Sequence, residues 1–338
     1  MLGASARAVL RRAGRGACRR CAYGEWAKAS ETTRGSSDGG IAVFGAYADE
    51  YDAARPAYPA PFWDDIEAEC RSAAAASPSP SPSPSLGTAL DVAAGTGRGA
   101  FELVRRGCWE SVVAVDLDKG MLQQARRGAR DRGLPELATM HAAAEDLGEV
   151  ADGSVDLLVC LQAFHWFEPP AAALAEFRRV LAPGRGRLVI AWNDRDLSVP
   201  WVRELEDLVE AANPRYSRWL KQASHVTEQG AIFPPARFAA AATAAAAAAA
   251  SSVADADARE RAGGIVTGLH SYANTSEGCT ADTLVELMDT MSYLRNALDE
   301  PQRATFQARL REMVAARHGD APFALPWVTN AYFLRPVP

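Results

Sequence analysis

No stretch of the 338 residues is both long enough and bulky enough in its apolar side chains to cross a bilayer, and the one long run of small residues, Ala244 to Ala250, is alanine alone. No membrane partner is therefore expected. Cysteine is scarce: Cys18, Cys21, Cys70, Cys108, Cys160 and Cys279 are scattered along the chain, which excludes a dense disulfide framework and fits a reducing compartment. Cys18 and Cys21 form a C-x-x-C, but it has neither a second pair nor a histidine at ligand spacing, so no zinc site is expected. Positive charge is also lacking. The formal net charge is −6, and residues 1–24 hold six arginines and no acid, leaving −12 for the remainder. An acidic body of this kind excludes nucleic acid as the main partner, because phosphate binding needs a basic surface that releases counterions.

What is present divides the chain into six stretches. Residues 1–40 form a basic segment in which Arg7, Arg11 and Arg15 recur every four residues beside Val9 and Leu10, the pattern of an organelle transit peptide, with mitochondrion ahead of plastid because serine is scarce. Residues 41–76 are expected to be helical, and 77–85 alternate serine with proline as an extended spacer. From 86 to 195, strand-like and helix-like runs alternate. Leu86 to Ala93, Ser111 to Leu117, Thr139 to Ala143, Val155 to Leu161 and Arg187 to Trp192 read as strands; Gly99 to Arg106, Lys119 to Arg132 and Pro170 to Leu181 read as helices. Apolar strands alternating with helices predict a doubly wound α/β fold around a mostly parallel sheet. Residues 196–264, with alanine from 239 to 250 broken only by Thr243, read as an insertion. In 265–338, Ile265 to Thr275 and Val328 to Leu334 have strand character around helices at Thr280 to Leu298 and Pro301 to Ala316, so the sheet is expected to finish on an antiparallel pair.

The chemistry is concentrated in Asp91-Val92-Ala93-Ala94-Gly95-Thr96-Gly97-Arg98-Gly99. In an open parallel sheet a ligand lies beyond the carboxyl ends of the strands, where Gly95 and Gly97 let the backbone approach it. Asp91 puts a carboxylate at the first strand's end, which suits a cationic ligand group and not a pyrophosphate. Asp116, 25 residues on, closes the second strand, where a carboxylate accepts hydrogen bonds from ribose hydroxyls. Glu145 and Asp146 follow the third strand within reach of an adenine edge. Together these residues bracket a nucleoside with a charged tail.

The runs LDVAAGTGRG, VAVDLDKGML, AAAEDL, DLLVCLQAFHWF and RRVLAPGRGRLVIAW resemble class I S-adenosylmethionine-dependent methyltransferases, specifically the type 11 group that includes trans-aconitate methyltransferase-like proteins. The segments F-G-A-Y-A-D-E-Y and R-P-A-Y-P before the core, Ser292-Tyr293, and F-A-L-P-W-V-T-N-A-Y near the end add to the likeness. The resemblance implies a seven-stranded Rossmann-like sheet, S-adenosyl-L-methionine as cofactor, and a small-molecule methyl acceptor, with a carboxylic acid favoured. It assigns Asp91, Ala93, Gly95, Thr96 and Gly97 to the methionine end and backbone of the cofactor, Asp116 to its ribose, Leu117 and Met121 to the adenine face, and Glu145 or Asp146 to the adenine edge. Gln162 would face the methionine moiety, while Tyr51 and Arg55, on helices before the core, would cap the pocket. Residues 197–264 would form a lid over the acceptor. Ala93 stands where many relatives carry glycine. His165 is the candidate general base, needed only if the acceptor must lose a proton. Two other classes fit parts of the pattern. Gly95 to Ala100 also satisfies the G-x-G-x-x-A of a nicotinamide-dependent oxidoreductase, against which Asp91 argues, and a catalytically silent cofactor-binding adaptor would need no further residue.

Overall fold

The continuous apolar runs become the strands of a single seven-stranded sheet. The computed structural model describes residues 55–76, 85–167, 170–213, 216 and 264–336. Tyr51, the helix expected around 47–54, residues 77–84 of the spacer, the arginine-rich start, Cys18, Cys21 and the alanine stretch lie outside the described residues. In chain order the described elements are α1 (Ala60–Ala75), β1 (Leu86–Val92), α2 (Arg98–Arg106), β2 (Trp109–Asp116), α3 (Lys119–Asp131), β3 (Ala138–His141), β4 (Leu157–Leu161), a 3-10 turn (Phe164–Trp166), α4 (Pro170–Val180), β5 (Arg187–Arg195), α5 (Pro200–Ala212), β6 (Gly264–Cys279), α6 (Ala281–Asp289), α7 (Ser292–Arg295), α8 (Glu300–His318) and β7 (Phe323–Pro336).

The strand order is β3-β2-β1-β4-β5-β7-β6. The first five strands in that order run parallel, and β7 is antiparallel to both its neighbours. The order reverses beside β1, so a crevice opens beyond the carboxyl ends of β1 and β4, the place where such sheets receive ligands.

Both sheet faces are buried, which is why the strands read as unbroken apolar runs. On one face Leu90, Val92, Val115, Leu158, Ile190 and Trp192 meet Phe164 and Phe177. On the other, Phe62, Trp63 and Ile66 of α1 pack on Ala89, Leu157, Val159, Ala191 and Phe333. An ion pair from Glu69 to the nearly buried Arg187 (2.7 Å) pins α1 to the start of β5. Thus the helical part of 41–76 that is described packs on the sheet.

A second core joins α5, α6, α7, α8 and the start of β7, through Trp201, Leu205, Val209, Leu284, Met288, Leu310 and Trp327. The described part of the expected lid, α5, is therefore anchored in that core. Several element bounds differ from the sequence reading, and three of the differences have a physical reason. The helix expected over Thr280 to Leu298 divides in two, because the Thr290 hydroxyl donates to the Leu287 carbonyl (2.7 Å) and Met291 turns inward to burial. Strand β5 continues through Asn193, Asp194 and Arg195, whose polarity hid them in the sequence, since each is buried with polar partners. Strand β7 extends back through Pro326 to Phe323, beyond Trp327, its last partner on β5.

Candidate functional site

The loop after β1 is built from residues that the sheet itself fixes. Ala94 N–H donates to Val115 O (2.9 Å) and Gly97 N–H to Ala94 O (2.9 Å), closing a tight turn between strand and helix. The turn needs left-handed backbone at Ala93 (φ 56°), Gly95 (φ 56°) and Gly97 (φ 90°). At Gly97 space forbids a side chain as well, because a Cβ would meet Ala125 Cβ at 2.9 Å and Phe101 Cε1 at 3.0 Å. At Gly95 a Cβ would meet nothing within 4 Å, so conformation alone calls for glycine there. Gly99 lets α2 approach β1: its Cβ would lie 2.7 Å from Asp91 Oδ2 and 2.8 Å from Leu161 Cδ1. Ala93 carries strain at this loop, since the left-handed region costs an L-residue about 1–2 kcal/mol. Ala93→Gly is expected to raise stability by about 0.5–1 kcal/mol after the extra unfolded-chain entropy of glycine is deducted. A denaturation midpoint lower than that of the parent protein would refute the strain.

The two acids read from the sequence serve opposite ends of this loop. Asp91 is 1% exposed and its Oδ2 accepts from the Ala100 N–H (2.7 Å) in the first turn of α2. Asp116 is half-buried, with Oδ2 accepting from Gly95 N–H (2.8 Å) and Oδ1 from Asp118 N–H (2.8 Å). Burial pushes the Asp91 carboxyl up to about 7, the Ala100 N–H opposing and the charge of Asp116 assisting. Burial likewise raises Asp116, against the pull of the Asp118 and Gly95 amides. Each carboxylate oxygen has more than one acceptor site, so the bonded Asp116 oxygens can still receive ligand hydroxyls.

Several other predicted residues gather around Asp116. Asp118 caps α3, its Oδ1 accepting from Gly120 N–H (2.6 Å) and Met121 N–H (3.3 Å), which sets Met121 in a buried position. The Asp118 Oδ2 is buried with no hydrogen-bond partner. Ala142 N–H donates to Asp116 O (3.2 Å) and His141 Nε2 donates to Leu117 O (2.9 Å), so the loop after β3 is tied to the tip of β2. In that loop Glu145 is half-buried, whereas Asp146 is exposed and accepts from Gly148 N–H (3.2 Å).

The ends of β4 and β5 form the other wall. Gln162 adopts left-handed backbone (φ 60°), its N–H donates to Ala191 O (2.8 Å), and its Nε2 donates to Asn193 O (3.0 Å). Thr96 is buried in the loop. The Arg55 guanidinium donates to Thr290 O (3.4 Å) at the end of α6. The general-base reading of His165 meets a geometric objection. The indole Nε1–H of Trp192 donates to His165 Nδ1 (3.2 Å), and an indole nitrogen only donates. Nδ1 therefore holds the lone pair and Nε2 the proton. Taking a further proton at Nδ1 would leave a buried N–H of Trp192 unsatisfied, at about 1–3 kcal/mol.

Sequence reasoning missed the polar set that follows Trp192. Asn193 Nδ2 donates to Pro56 O (3.3 Å) and Ala57 O (3.4 Å), joining the segment before α1 to the sheet. Asp194 is buried and accepts from Asn330 Nδ2 (3.1 Å); burial, with the Asp194 charge behind it, pushes the Tyr332 phenol up. The available signal was Asn193-Asp194-Arg195 directly after the apolar run, three polar residues with no glycine or proline among them.

Residues 90–190, from β1 to β5 and holding nearly the whole of this constellation, match the family described as a methyltransferase domain, Methyltransf_11. That stretch is a type 11 methyltransferase domain. An uncharacterized methyltransferase of Mycobacterium tuberculosis is 37% identical over 166 residues, which is 49% of this chain and 58% of the relative. An uncharacterized methyltransferase-like protein of Schizosaccharomyces pombe is 31% identical over 160 residues, 47% of this chain and 55% of the relative. The match thus spans little more than half the length of either relative. Among solved structures, a putative type II methyltransferase from Anaeromyxobacter dehalogenans is 19% identical, with 82% of this chain and 97% of the other covered at a TM-score of 0.48. The methyltransferase-domain match and the observed strand order agree on the fold class: an α/β, Rossmann-like sheet whose last strands are antiparallel. Among the described residues no helix is long and apolar enough to cross a membrane.

Proposed function

We propose that this type 11 methyltransferase transfers the methyl group of S-adenosyl-L-methionine to a small-molecule acceptor, with a carboxylic acid as the acceptor class. The observation that carries the reading is the double tie of Asp116, which fixes a carboxylate between the glycine loop and the start of α3, where a ribose would lie. Two further features suit a nucleoside with a cationic tail. The buried Asp118 Oδ2 lacks a donor that a ligand hydroxyl would provide. The buried Asp91 carboxyl supplies negative charge under the loop, as a cationic amino-acid end requires.

The bound cofactor supplies a sulfonium-activated methyl group, whose departure needs no acid from the protein. The chain's residues have three tasks. Asp116 and the amides of the glycine loop hold the nucleoside; Leu117 and Met121 flank its base; Gln162, fixed on Asn193, shapes the wall beside the methyl. Alignment and exclusion of water then supply most of the acceleration. A carboxylate acceptor arrives ionised and needs no general base.

Calorimetric titration with S-adenosylmethionine, S-adenosylhomocysteine and NAD tests the cofactor reading. Binding of the first two and not of NAD is expected, and the reverse selectivity would establish the oxidoreductase alternative. Asp116→Ala should weaken S-adenosylmethionine by about 1–3 kcal/mol through lost charge-assisted hydrogen bonds. An unchanged affinity in a folded variant would remove the ribose assignment. Incubating the enzyme with methyl-labelled cofactor and a metabolite extract identifies the acceptor, and absence of any labelled product would favour the silent-adaptor alternative.

A further inference from the structure

The 3-10 turn that follows the carboxyl end of β4 carries His165 and Trp166, both exposed, while Trp192 on β5 is 1% exposed. Trp192 is wedged edge-on against Tyr332 of β7, with ring centroids 6.1 Å apart, so its indole has little freedom to turn away. Its Nε1–H points at His165 Nδ1 at 3.2 Å. The His165 ring also lies against Trp166, with centroids 5.0 Å apart. An imidazole addressed by a donor at Nδ1 carries its proton on Nε2 and can offer only a donor through that edge.

We propose that Trp192 is a positioning residue that locks His165 in the Nε2–H tautomer, so that His165 donates a hydrogen bond to an already ionised oxygen of the methyl acceptor and does not remove a proton from it. This specificity rests on the methyltransferase reading; the lock itself does not. The arrangement discriminates between acceptor chemistries. An oxyanion, such as a carboxylate, meets a matched donor that orients it while leaving another lone pair for the methyl. A neutral hydroxyl or an ammonium group would need its proton taken, and the one lone pair of His165 already belongs to Trp192. Methyl transfer to the oxyanion forms an oxygen–carbon bond and breaks the sulfur–carbon bond, the sulfur keeping the electron pair; no proton moves.

Long-range nitrogen–proton correlation spectra of the full chain, labelled at histidine, read the tautomer directly. In the neutral ring Nδ1 should show the lone-pair shift and Nε2 the protonated one, and Trp192→Phe should collapse this into a mixture. A wild-type ring protonated on Nδ1, or an unchanged pattern in a folded Trp192→Phe, would overturn the lock. If Trp192→Phe does not fold, the wild-type protein still decides the matter, because the Nδ1 and Nε2 shifts of His165 report its tautomer without any variant. The role is then read with methyl-labelled cofactor and a metabolite extract. His165→Gln keeps a donor and cannot act as a base, so it should retain labelling within about threefold, whereas His165→Leu should lose about ten- to a hundredfold. If glutamine fails as badly as leucine, His165 is a base and the donor role is wrong. Absence of labelling in every form, with the tautomer as expected, would sink the methyltransferase reading and the donor role that rests on it, while leaving the lock intact.

Discussion

Glu206→Gln is expected to remove about 3–5 kcal/mol of folding stability, a large part of the roughly 5–15 kcal/mol that a folded protein possesses. Glu206 on α5 and Arg195 at the end of β5 form an ion pair in which both side chains are almost wholly inaccessible. Burial would by itself lower the Arg195 guanidinium's proton affinity, and the charge of Glu206, helped by Tyr293 and Tyr216, more than reverses that. Tyr293 OH accepts from Arg195 Nη2 (2.9 Å) and Tyr216 OH donates to Glu206 (2.9 Å), while Arg195 Nη1 is buried with no hydrogen-bond partner among the described residues. The two phenol rings stack at 4.3 Å, and Asn213 Nδ2 donates to Tyr293 O (2.6 Å). Neutralising Glu206 leaves a buried cation with no counter-charge, the costly case. Replacing both partners, Arg195→Met with Glu206→Leu, should recover most of the loss, because the pair's own desolvation cost vanishes too. Urea denaturation of the three proteins checks this, and a single-variant loss under about 1 kcal/mol would show that water reaches the pair. The network also has a functional bearing, because Arg195 is the last residue of the strand that carries Trp192 and Asn193. Through it the helices of the second core hold that strand end in place.

The parts of this protein that were legible in the sequence are those where one residue type answers to one physical demand. The strands from β1 to β5 announced themselves as apolar runs because both sheet faces are covered, and the glycine loop because positive φ at Gly95 and Gly97 excludes side chains. The place of Asp116 at the tip of β2 was legible too, because an acid closes an otherwise apolar run. Long-range polar pairing was not. Asn193, Asp194 and Arg195 resemble the start of a loop until Asn274, Asn330 and Glu206, from 81, 136 and 11 residues away, are seen to satisfy them. The tautomer of His165 likewise depends on Trp192, 27 residues on, and no spacing rule reveals a hydrogen bond between a turn and a neighbouring strand. The bond from Arg55 to a carbonyl 235 residues later is equally beyond any motif. Ala93 marks another kind of limit: its identity looked innocuous, and only the left-handed backbone shows that the loop bears strain there.

Asp91→Asn is expected to stabilise the cofactor-free protein and weaken its hold on S-adenosylmethionine, both effects growing with pH. The Asp91 carboxyl is displaced from the usual 3.8 to about 7 by burial, with the Asp116 charge adding to the displacement and the Ala100 amide resisting it. A folded-state value above the unfolded one means that the contribution of Asp91 to stability is fully present below about pH 4. It is lost as the pH rises to about 7, and beyond that the ionised group is a constant burden on the order of 4 kcal/mol. Asparagine still offers an oxygen to Ala100 and carries no charge, so its advantage should be small near pH 4 and largest above pH 7. Binding should run the other way. A cationic amino-acid tail above the loop favours the ionised carboxylate, so wild-type affinity for S-adenosylmethionine should rise across roughly pH 6 to 8, with a proton released on binding. Adenosine lacks the tail and retains the ribose, so it should keep only the part of that slope that belongs to Asp116. Titrations in buffers of different ionisation enthalpy measure the proton directly. If Asp91→Asn unfolds at lower denaturant than wild type at pH 8, the buried carboxylate is a structural anchor and not a charge held in reserve for the ligand. If adenosine and S-adenosylmethionine show the same pH slope, the tail does not lie over Asp91.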